Sequence, residues 1–120
     1  MEEANYNWKL FLMYMLILIF ILISGTAFSQ IKVSYFNAEW NNANGVKWVQ
    51  DLKDVKTISS VDIAKQADLA LKHKIAVIPT IIIFKDDEEV ARFQADLSFK
   101  MVATKEDIQE EIDSQLMSDF

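Results

Sequence analysis

The pattern of apolar and polar positions divides the chain into two unlike parts. Leu10 to Ile23 is an unbroken run of fourteen apolar residues, whereas from Gln30 onward apolar residues come in short groups with the periods of strands and helices. Ile31, Val33 and Tyr35 alternate with Lys32 and Ser34, then Phe36 follows, which predicts a strand entering a core. Asn41 to Gly45 is a polar turn, after which Val46, Val49 and Leu52 recur at helical spacing and predict a short helix ending at Lys53. Asparagine is a favoured helix N-cap, so capping by Asn41 or Asn44 is the simplest structural reading of that cluster.

The second half continues the alternation. Thr57-Ile58 through Val61-Asp62-Ile63 predicts a strand, and Ile63, Ala67, Leu71 and Ile75 fall four apart, predicting an amphipathic helix over Ala64 to Lys74. Thr80 to Phe84 and Val90 to Phe93 flank Asp86-Asp87-Glu88-Glu89, which reads as two antiparallel strands joined by a solvated turn. Asp96 to Val102 is an irregular connection. Thr104 with Asp107 three residues on marks a helix start, and Ile108, Ile112 and Leu116 form one apolar stripe behind it. The order is βαβαββα: an α/β domain whose first two strands pair in parallel through a right-handed crossover, giving a mixed four-stranded sheet flanked by helices.

The N-terminal run decides where this domain resides. Residues 1–29 form either a secretory signal peptide or a membrane anchor, and residues 30–120 form the domain. Fourteen apolar residues fit the hydrophobic region of an export signal, with Ala27 and Ser29 as the small residues read by a peptidase cutting before Gln30. Glu2 and Glu3 against Lys9 make a poor n-region. Left uncleaved, residues 10–28 are nineteen mostly uncharged residues, just enough for a span. Either way the domain is exported, to the periplasm or extracellular space, free or held at the inner membrane.

Charge and residue inventory narrow the chemistry. Setting aside Glu2, Glu3 and Lys9 leaves 16 acidic and 11 basic residues, a net charge of −5 with no lysine cluster, which excludes nucleic acid as the expected partner. The acidic run 86–89 lacks the alternate ligand positions of a calcium loop. No cysteine is present and His73, between Lys72 and Lys74, is the only histidine, so no zinc site and no cofactor is expected. His73 reads as a solvated residue near a helix C-terminus.

Asn37-Ala38-Glu39-Trp40-Asn41-Asn42-Ala43-Asn44 and the later Ile75-Ala76-Val77-Ile78-Pro79-Thr80-Ile81-Ile82-Ile83-Phe84-Lys85 resemble two signatures of the thioredoxin-like superfamily, and the resemblance runs from about Ile31 to Leu116. Together with the apolar leader, the chain is similar to the exported type of bacterial thioredoxin-family protein. The resemblance implies a minimal thioredoxin-like fold, in which the Cys-x-x-Cys turn falls on Asn41 to Asn44 and a cis-proline at Pro79 faces it. Asparagine stands at both cysteine positions. Thiol–disulfide exchange needs a thiolate to attack and a sulfur to be attacked, and an amide is neither. The family's buried aspartate falls on Tyr35 and its nearby lysine near Ser60, so the proton relay is absent as well.

With no nucleophile beside a base near the turn, the expectation is a redox-inactive, non-enzymatic domain. The resemblance implies a groove formed by Trp40, Asn41, Asn42, Ala43, Asn44, Ile78, Pro79 and Thr80, which holds an extended peptide or partner protein alongside the Ile78 main chain. The alternative is a membrane-anchored structural or assembly subunit that makes its contacts through another face.

Overall fold

A computed structural model describes residues 2–24 and 29–118. Helix α1 runs over Glu2–Ser24. Strand β1 (Ile31–Asn37) is followed by two 3-10 helices, Glu39–Asn44 and Lys47–Asp51, then β2 (Thr57–Asp62), helix α2 (Ala67–Lys72), β3 (Thr80–Lys85), β4 (Glu88–Gln94) and helix α3 (Lys105–Met117). The sheet order is β2-β1-β3-β4; the parallel β1–β2 pair and the antiparallel β3–β4 hairpin are those the sequence pattern predicts, and the antiparallel β1–β3 pairing joins them into one mixed sheet.

The segments that connect the strands cover the two faces of the sheet. Ile31, Val33, Ile81 and Ile83 pack with Val46, Val49 and Leu52 of the post-β1 segment and with Ile108 and Ile112 of α3. Phe36, Val61 and Ile82 form the opposite face, against Ile63, Leu69 and Ile75 around α2. The α3 start is the capping box read from the sequence: Thr104 Oγ1 accepts from the Asp107 N–H at 3.2 Å and the Thr104 N–H donates to Asp107 Oδ2 at 2.8 Å. The β3–β4 turn is a two-residue hairpin with Asp86 and Asp87 both at positive φ, and Lys32 reaches Asp87 at 2.8 Å. Among the described residues no cluster of acids or histidines could hold a metal ion.

Four expectations need correction. The helix expected from Val46 to Lys53 is a shorter 3-10 helix, Lys47–Asp51, and the expected polar turn before it is itself mostly a 3-10 helix, Glu39–Asn44, the two being separated by extended backbone at Gly45 and Val46. Neither asparagine caps a helix: the residues preceding the two segments are Ala38 and Val46, and neither supplies a side-chain cap. The helix expected over Ala64 to Lys74 shortens to Ala67–Lys72, since Asp62 first builds a turn, its Oδ1 accepting from Ala64 and its carbonyl from Lys65 and Gln66. Within it Leu69 packs inward, and Leu71 is 80% exposed. His73 is not a solvated residue either. Its ring lies half-buried between Phe36 and Phe84, with centroids 5.6 and 5.5 Å away.

On α1, Trp8, Phe11, Leu16 and Phe20 are all exposed. Among the described residues no helix is long and apolar enough to cross a membrane. Residues 25–28, which both the cleavage reading and the anchor reading require, lie outside the described residues.

Candidate functional site

The turn after β1 and the loop before β3 meet at one end of the sheet because β1 and β3 are antiparallel neighbours, with Phe36 aligned to Thr80. The Ile78–Pro79 peptide is cis. A chain of amides occupies the turn. Asn44 Nδ2 donates to Asn41 Oδ1 at 2.9 Å, Asn41 Nδ2 donates to Asn37 Oδ1 at 3.0 Å, and Asn37 Nδ2 donates to Tyr35 Oη at 3.0 Å. Tyr35 Oη also accepts from the Val46 N–H at 2.9 Å, which ties the far end of the chain to the backbone. Asn41 is 4% exposed and uses its second amide hydrogen on the Phe99 carbonyl at 3.2 Å.

This network explains why asparagine suits positions 41 and 44. An amide carries two donors and an acceptor with two lone pairs, so one buried side chain can serve three partners without charge. Among the described residues no buried side-chain polar atom lacks a partner. The Tyr35 hydroxyl bonds Asn37 rather than Asn41. Among the described residues, the side-chain bonds of Asn41 and Asn44 run to Asn37, to the Phe99 carbonyl and to each other, and none of these partners is titratable.

A hairpin closes the same end of the sheet. Ala95 bridges Met101, and Asp96 Oδ1 accepts from the Ser98 N–H, the Ser98 hydroxyl and the Lys100 N–H. The Ser98 hydroxyl, followed by the Lys100 N–H, holds the Asp96 carboxyl below the usual carboxylate range. Phe99 is thereby held at φ 63°, a left-handed backbone that costs a bulky residue about 1–3 kcal/mol. The hairpin bonds both loops: the Ala95 N–H donates to the Pro79 carbonyl at 3.0 Å, while the Phe99 carbonyl takes the Asn41 amide. The Phe99 ring meets Trp40 edge-on at 5.2 Å.

The eight expected groove residues therefore separate by exposure. Trp40 is 66% exposed, Asn42 and Ala43 are exposed and Asn44 is half-buried. Asn41, Ile78, Pro79 and Thr80 are buried, Ile78 at 3%, and the Thr80 hydroxyl is spent on the Val77 carbonyl at 2.6 Å. The accessible rim is Trp40, Asn42 and Ala43 with Phe99 beside them. On the other flank of the turn a cleft of about 620 Å³ opens at the C-terminal ends of β1 and β2, between Tyr35, Asn42, Ser60 and Asp62. The sequence did not mark Asn37 and Phe99 as site residues. Asn37 had a signal, as an asparagine directly after the apolar Tyr35-Phe36 end of the strand, and Asp96-x-Ser98 marks a side-chain-capped turn, but nothing in the sequence places Phe99 on Asn41.

Fold and site together define a thioredoxin-fold domain without a redox centre. The family model described as Thioredoxin matches residues 42–114, and the chain belongs to the thioredoxin family. It is 38% identical over 53 residues to Thioredoxin Y1, chloroplastic, of Arabidopsis thaliana, a match covering 44% of this chain and 31% of that protein, so it spans about a third of this curated relative. A mutant thioredoxin from Halobacterium salinarum shares the fold at 17% identity, with a TM-score of 0.57 over 72% of this chain and 75% of that one. Thioredoxin 1 from Thermosipho africanus does so at 16% identity, with a TM-score of 0.56 over 73% and 97%.

Proposed function

We propose that this chain is an exported, redox-inactive binding module that holds an extended peptide or partner protein at the vacated turn, with no cofactor. The observation that carries the reading is the amide chain from Asn44 to Tyr35. It fixes the turn without reactive groups and leaves Trp40, Asn42 and Ala43 exposed beside it. A fixed, partly apolar rim with an aromatic anchor and the exposed Asn42 amide is suited to binding, since little ordering entropy is lost on contact. Burial of Ile78 moves the contact from the proline loop to this rim, where Trp40 and Phe99 supply the apolar area.

Export rests on the apolar segment 10–23, and residue 30 at the mature N-terminus in the native host is the expected result. Retention of Met1 in the membrane fraction favours the second reading, a membrane-anchored assembly subunit, for which the exposed apolar side chains of α1 speak. For the binding surface, a photo-crosslinker at position 42 is compared in native cells with one at Glu110 on α3. A discrete adduct specific to position 42, lost on Trp40→Ala, is expected. Identical adducts from both positions, or adducts indifferent to Trp40→Ala, refute the proposed surface.

A further inference from the structure

We propose that β2 is a contact between two copies of this chain, the two β2 strands pairing antiparallel about a two-fold axis to join two four-stranded sheets into one of eight strands. The sheet has two edges, β2 and β4, and they are built differently. The β4 edge carries Glu88, Glu89 and Arg92, its register with β3 shifts between Ile83 and Phe84, and Arg92 reaches across to the His73 and Lys74 carbonyls at 2.7 and 3.1 Å. Charge and irregularity of this kind block strand addition. β2 reads Thr-Ile-Ser-Ser-Val-Asp, with an unbroken register to β1 and one charge, at its last residue. Among the described residues its outer side pairs with nothing.

The hydrogen-bond phase selects the register. Asn37 aligns with Asp62, and its carbonyl accepts from the N–H of the next residue, Ile63, at 3.0 Å. Residues 57, 59 and 61 therefore turn their main-chain groups to β1, and Ile58 and Ser60 turn theirs to the open edge. An antiparallel copy satisfies these groups when Ile58 faces Ser60 of the second copy and Ser60 faces its Ile58. That register makes four new main-chain hydrogen bonds and places Ser59 opposite Ser59. A shift of two residues one way would need the Asp62 carbonyl, already taken by Lys65 and Gln66, and the other way the Lys56 N–H, already given to Ile31.

Charge agrees with the same register. Lys56 comes to stand opposite Asp62 at both ends, exchanging its bond to Gln30 Oε1 for a carboxylate. Six residues a side is a small interface, so the dimer is a weak, exchanging one.

The absence of native cysteine makes the test direct, because each introduced thiol reports only on itself. In the register above, the Ser59 pair is a non-hydrogen-bonded one with Cα atoms about 4.5 Å apart, inside the disulfide range. The two Thr57 positions are about 14 Å apart, outside it. Full-length chain carrying Ser59→Cys, in mild detergent with a mild oxidant, is expected to form disulfide dimer at least about tenfold faster than chain carrying Thr57→Cys. Adding Lys56→Glu to Ser59→Cys faces two carboxylates at each end and is expected to slow the dimer several-fold. Equal rates at 57 and 59, which association through α1 alone would give, overturn the proposal. So does a lack of dimer at 59, or indifference to Lys56→Glu.

Discussion

Replacing Asn41 with alanine removes the centre of the amide chain and leaves three partners unserved. Asn37 Oδ1 and the Phe99 carbonyl lose a donor, and Asn44 Nδ2 loses its acceptor. These losses differ in weight. Asn37 is 8% exposed, so its oxygen stays dry and carries a desolvation cost of about 1–3 kcal/mol. Phe99 is 42% exposed and Asn44 half-buried, so water replaces much of what they lose, at about 0.5 kcal/mol each. The total is about 2–4 kcal/mol, a large share of the margin of a small domain that has no disulfide. Asn44→Ala breaks one bond at a half-exposed site and should cost about 0.5–1 kcal/mol. The double mutant should cost less than the sum by about 0.5 kcal/mol, because both singles remove the same bond. Urea unfolding followed by circular dichroism, with the m-value unchanged, measures each. An Asn41→Ala cost under about 1 kcal/mol, or equal costs for the two single changes, would show that the network is incidental to the turn.

Two further outcomes rest on the same geometry. Restoring both cysteines, Asn41→Cys with Asn44→Cys, should give a disulfide, since the native side chains already meet at 2.9 Å. Insulin reduction by the pair should remain poor, because Tyr35 bonds Asn37 and offers no proton relay to the turn, and turnover at the level of a true thioredoxin refutes that account. For the hairpin, the depressed Asp96 carboxyl contributes stability above the ordinary aspartate pKa and loses it as pH falls through the lower folded value. The Trp40 indole NMR signal should therefore be steady from about pH 7 to about pH 4 and move only below that; a shift above about pH 5 would remove Asp96 from the explanation.

Much of the fold was legible because burial imposes periods on the chain. Alternation in β1, the Ile81-Ile82-Ile83 run of a strand buried on both faces, and the 108–112–116 stripe of α3 each report their own surroundings. The helix boundaries were less legible because they turn on single local competitions. Asp62 spends its side chain and carbonyl on a turn and so delays α2, and extended backbone at Gly45 and Val46 divides the segment after β1. His73 was misplaced for a different reason. Charged neighbours in sequence predict solvent, while Phe36 and Phe84, distant in sequence, supply the aromatic walls.

By itself the sequence determined the chemistry that this domain lacks, since without a cysteine thiol no arrangement of its own side chains performs disulfide exchange. It also determined the order of elements along the chain and the position of the turn, because these depend on residues near one another in the chain, whereas the β1–β3 pairing at the centre of the sheet joins residues far apart in it. Tertiary structure alone decided what the turn became. The donors and acceptors that satisfy Asn41 come from Asn37, Asn44 and Phe99, and the last lies 58 positions away. Likewise, Ile78, Pro79 and Thr80 look like groove residues in the sequence and are buried in the fold, while Trp40 stays open. A hydrogen bond depends on distance and direction in space, and a linear pattern carries neither once the partners are separated by a folded sheet.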